Sequence, residues 1–152
     1  LQIVFENTQF TDKAEKWLDC QLQSDLFTVT FVTSVEGGAE AIDISQSQDV
    51  FGIERGFEDA FYFIGHEFII YLLMNVLVNE NAFKTFDTWE ATEGLTEYYL
   101  KKIMGNIRFK EHRKYVEYYE NCEKKVPLSP VELYRQALKD AAILKHNERG
   151  FA

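Results

Sequence analysis

The segment FYFIGHEFIIYLLMNVLV, residues 61–78, constrains this chain more than any other stretch. Only His66, Glu67 and Asn75 interrupt its apolar character. A run of this length invites a transmembrane reading. An acidic residue near mid-helix costs roughly 2.5–3.5 kcal/mol on insertion scales. A long central helix, covered on all sides by its own protein, is the better reading, with no membrane span in this chain. Burying two ionisable groups there costs free energy unless something binds them. His66 and Glu67 are therefore the first candidates for function.

With 152 residues, one domain is the default, and it is large enough to bury a core without staples. We read residues 1–152 as a single domain, with a strand, helix and hairpin part over 1–52 and a helical part over 53–152. LQIVF opens as a short buried strand. TDKAEKWLDCQL follows as a helix, with Asp12 as N-cap, Glu15 three positions on, and Ala14, Trp17 and Leu18 on one face. LFTVTFVTS and AEAIDIS alternate as strands do, and Val35-Glu36-Gly37-Gly38 between them predicts a hairpin. Helices are then predicted over about 53–78, 85–104 and 109–124, with Gly105-Asn106 stopping the second. A fourth starts at Ser129, with Pro130 in its first turn and Glu132 completing a capping box, and ends near Gly150.

The chain carries 25 acidic against 16 basic residues, a formal charge of −9. Nucleic acid and anionic membrane surfaces both demand a basic face, so they are excluded as main partners. Cys20 and Cys122 lack a C-x-x-C spacing, which removes a cysteine zinc site and a thioredoxin-like pair. They are compatible with a disulfide or with two free thiols. No G-x-x-x-x-G-K-[ST], G-x-G-x-x-G or G-x-S-x-G motif occurs.

Two stretches stand in a suggestive relation. GHEFIIY, residues 65–71, is followed by WEATEGLTEYYLKKI, residues 89–103, and His66 precedes Glu93 by 27 positions. The first resembles the H-E-x-x-H helix of zinc peptidases, and the second resembles the Glu-Gly helix start of the gluzincin branch. That resemblance implies an α+β, zincin-like fold: a small N-terminal mixed sheet packed on a long active-site helix, followed by a helical C-terminal half. It implies His66 and Glu93 as metal ligands and Glu67 as the general base acting on a zinc-bound water.

The departure from the pattern is at Ile70, where the second histidine belongs. Isoleucine offers no lone pair, and two protein ligands do not make a zinc site. The resemblance so corrected implies a metallopeptidase-like domain with a degenerate site, lost or altered activity, and zinc bound weakly or absent. Its partner would be a peptide or protein. Alternatives are an active metal-dependent peptidase with a non-standard ligand set, and a non-enzymatic helical interaction module. Glu90 and Glu97 share a helical face with Glu93 and could add carboxylates, but they read more simply as the wet side of an amphipathic helix. His112 and His146 sit among charges and read as solvated surface.

Overall fold

The computed structural model describes residues 9–21, 28–32, 39–43, 48–52, 57–106 and 110–146. The expected strand LQIVF lies outside them. The chain divides into two compact units, Leu1–Leu72 and Leu73–Ala152.

In the first unit, helix α1 spans Phe10–Leu18 and buries Phe10, Ala14 and Leu18. These positions recur every four residues and so line one face. The predicted cap at Asp12 and the apolar role of Trp17 are both corrected. The helix begins three residues earlier, after Gln9 in a left-handed conformation (φ 51°) with no side-chain cap, and Trp17 is 44 % exposed. Phe10 explains the shift. It packs edge-on against Phe61 and Phe68, with ring centroids at 6.3 and 5.9 Å. Burying a phenylalanine is worth about 1.5–3 kcal/mol, more than the roughly 1 kcal/mol of a good cap.

Three five-residue strands follow, β1 Thr28–Val32, β2 Ala39–Asp43 and β3 Gln48–Gly52. The hairpin is overturned: β3 lies between the other two, parallel to β1 and antiparallel to β2. Thr30 faces Val50 in one pairing, and Ala41 faces Asp49 in the other. A local turn signal at Gly37-Gly38 could not reveal a third strand inserted between its two arms. QDVFG carried too weak an alternation to be read as that strand.

Helix α2 spans Phe57–Val76. Phe61, Tyr62, Phe63, Ile64, Ile70 and Tyr71 are all buried along it, and at about 100° per residue they are spread round its whole circumference, as expected of a fully enclosed helix. No helix among the described residues is long and apolar enough to cross a membrane.

The α+β, zincin-like class is thereby corrected. The described residues are predominantly helical. The strands are short, and their main contacts among the described residues are with one another. The hairpin expected in the N-terminal part is not formed, since β3 lies between β1 and β2. The hairpin and its place in the sheet depended on long-range pairing, which residue alternation does not encode.

In the second unit, helix α3 runs Phe86–Met104 between two clear signals. Thr85 and Thr88 cap its start reciprocally, and Gly105 (φ 86°) ends it with an N–H to the Lys101 carbonyl. A short 3-10 turn, Lys110–His112, leads into α4, Arg113–Glu123. Helix α5, Pro130–Lys139, has the predicted Ser129–Glu132 capping box. The single fourth helix of the sequence reading is instead divided at Asp140, with α6 following over Ala141–His146. The Asp140 carboxylate accepts from the Tyr118 hydroxyl at 2.6 Å and from Gln136 Nε2 at 3.3 Å.

Helices α3, α4 and α5 pack on one another. Glu90 meets Lys114, Gly94 meets Tyr115, and Lys102 meets Glu123, so α3 and α4 run in the same direction. Their closest approach is at Gly94. A Cβ there would stand 2.2 Å from Tyr115 Cβ and 2.8 Å from Tyr115 Cγ. The glycine is needed for the helices to touch. Below it, the buried Tyr119 hydroxyl donates to the Ala91 carbonyl at 2.8 Å.

Candidate functional site

His66 and Glu67 lie on α2 in the first unit, and Glu93 lies on α3 in the second. His66 is buried and Glu67 half-buried. On a helix, His66 and Ile70 project to the side away from the Phe61–Phe68 row that receives α1, about 140–180° round. Ile70 is itself buried, at 8 % exposure. The position at which the resemblance needs a second imidazole is thus an aliphatic packing position. Among the described residues, no group of three or more His, Cys, Asp or Glu is placed to hold a metal ion. With Glu67 in the role of base, His66 and Glu93 are two of the three protein ligands that a zinc centre needs, and Ile70 offers no third.

The Glu-Gly motif has a packing explanation of its own. Gly94 is where α4 crosses α3, as its distance to Tyr115 requires. The flanking carboxylates also depart from the wet-face expectation, which is corrected. Glu97 is fully buried, Glu93 half-buried, and Glu90 accepts an ion pair from Lys114 at 3.1 Å with its side chain 13 % exposed. Packing of α4 against this side of α3 turns a row of acids inward. Hydropathy alone assigns such residues to water.

His112 is corrected in the same way. It is buried, its ring edge-on to Trp89 at 5.6 Å, and its Nδ1 has no hydrogen-bond partner among the described residues. His146 closes α6, and its side chain lies outside the described residues. Cys20 and Cys122 are free thiols. Burial pushes the Cys20 thiol up, and Glu15 and Asp19 add to this. A thiol so placed is held in its unreactive, protonated form.

What sequence reading missed is an aromatic face at the start of α3. Phe86 is 66 % exposed and Trp89 39 % exposed. Their rings stack with centroids 6.0 Å apart and planes at 29°, and His112 supports Trp89 from beneath. Helical spacing i, i+3 puts both rings on one side. That spacing in FDTW was the available signal, but it also fits a core stripe. No protein family, curated protein or solved structure matches the chain.

Proposed function

We propose that this chain works by binding a protein or peptide partner, as a helical interaction module, and that Phe86 and Trp89 form its contact face. One observation carries the reading. Along α3 the chain buries Leu95, Tyr98, Tyr99 and Leu100, yet leaves two stacked aromatic rings in solvent at its first turn. Exposed, pre-ordered aromatic rings are the side chains on which interface energy concentrates. Thr85, Thr88 and His112 hold the turn and the rings in place before any partner arrives, which lowers the ordering cost of binding.

Hydrolysis is the weaker reading. It requires a metal ligand that Ile70 does not supply, and the Glu-Gly motif that supported it is accounted for by the contact of Gly94 with Tyr115.

The test is selection of a displayed random-peptide library on the wild-type chain, counter-selected on Phe86→Ser/Trp89→Ser. Enriched peptides should bind the wild type, shift Trp89 fluorescence, and lose at least about tenfold in affinity on the double variant. Peptides that bind both proteins equally would remove the aromatic face from the proposal. Chelator-sensitive cleavage of those peptides would replace binding with hydrolysis.

A further inference from the structure

A second site is carried by the other end of α3. A cleft of about 380 Å³ lies where Lys101 and Gly105 of α3 approach Lys110, Arg113, Glu117 and Glu120. Three cations meet two carboxylates there, in a chain whose net charge is −9. Both carboxylates are engaged. Lys101 donates to Glu120, and Arg113 Nε donates to Glu117 Oε1 at 2.9 Å. A carboxylate on Nε leaves the two terminal guanidinium nitrogens available. Lys110 is exposed and makes no ion pair or hydrogen bond among the described residues. The cleft therefore keeps one unmatched positive charge and a guanidinium edge with donors to spare.

We infer that this cleft binds a small phosphomonoester, with its phosphate held between Lys110 and the terminal nitrogens of Arg113. A planar guanidinium edge matches two phosphate oxygens, and an ammonium adds a mobile point charge. A carboxylate would use one charge and one edge, whereas a phosphate dianion uses both cations. Arg113 opens α4, so the positive end of that helix adds to the field. The volume lies within the range of small-molecule sites, and so leaves room for an organic group beyond the phosphate. The polar wall of Lys101 and Glu120, already paired, can then accept and donate hydrogen bonds to hydroxyls on that group. The site is independent of the aromatic face, and failure of one leaves the other intact.

The experiment is calorimetric titration of the full chain with glycerol 3-phosphate and, separately, with inorganic phosphate, at fixed ionic strength. Lys110→Gln and Arg113→Gln are compared with Lys139→Gln, an exposed charge change on α5. Both cleft side chains are exposed, so the variants should fold, which a melting curve verifies. The expected result is saturable millimolar binding of the ester, about tenfold weaker in each cleft variant and unchanged in Lys139→Gln. Absence of saturable ester binding overturns the inference, as does equal weakening by Lys139→Gln, which would indicate only bulk charge. Equal affinity for inorganic phosphate overturns the organic half of the assignment.

Discussion

The two units of this chain reach stability by different routes, and their charges diverge as sharply. Leu1–Leu72 holds thirteen acidic and three basic residues, a formal charge of −10, while Leu73–Ala152 holds twelve and thirteen, a charge of +1. The acidity of the whole chain is thus the acidity of its first unit. Along α2 the buried residues are almost all hydrocarbon or aromatic, where stabilisation is non-directional and scales with area. The second unit adds buried Thr92, Thr96 and Glu97, and buries five tyrosines against the two on α2, so its stability depends more on hydrogen-bond geometry and on which groups carry charge. Substitution by volume should govern the first unit. Protonation and close fit should govern the second.

Alkaline titration is the strongest way to break that contrast. Burial is the first cause holding the Tyr98, Tyr99, Tyr118 and Tyr119 hydroxyls well above the usual tyrosine range. A group raised in the folded state favours folding below its unfolded value and loses that contribution as pH rises toward the folded one. Unfolded tyrosine ionises near pH 10, so the second unit should lose stability above about pH 10. A fully buried tyrosine such as Tyr119 loses up to roughly 1.4 kcal/mol per pH unit there, and the part-exposed ones lose less. With one tryptophan in each unit, Trp17→Phe and Trp89→Phe variants report the two separately. The Trp89 signal should melt first as pH rises, and simultaneous loss would erase the distinction.

Close fit comes next. Gly94→Ala gains about 1 kcal/mol of helix propensity. It nevertheless forces a Cβ into Tyr115, and the net loss should be about 2 kcal/mol in a denaturant titration. A neutral or stabilised variant would show that α3 and α4 can part without cost.

Ile70→His tests the first unit by volume and polarity together. Placing an imidazole at this buried site should cost about 1–3 kcal/mol. Zinc should not restore the melting temperature, because Ile70 is a buried packing position at which an incoming ion would lose its hydration. Recovery that grows with zinc concentration would return the metallopeptidase reading to first place.

The smallest expected effect is that of Tyr119→Phe, which deletes the buried hydrogen bond to the Ala91 carbonyl. A loss of about 1–2 kcal/mol is expected, larger than for a surface tyrosine. A loss within error would mean that the carbonyl finds another donor.

Local signals in the sequence were read well where one segment settles its own structure. Thr85 and Gly105 bound α3, and Ser129, Pro130 and Glu132 start α5, because caps and stops act within one turn of backbone. The enclosed character of α2 was likewise legible from its unbroken apolar run. Tertiary structure alone decided the rest. It placed β3 between β1 and β2, turned Glu97 and His112 inward, and left Phe86 and Trp89 in solvent. Each of those outcomes depends on which distant backbone arrives alongside, and a residue's own hydropathy carries no record of its neighbour. Gly94 shows the division within one residue. Its identity was plain in the motif, but its purpose became visible only when Tyr115 was found 2.2 Å from the Cβ that it lacks.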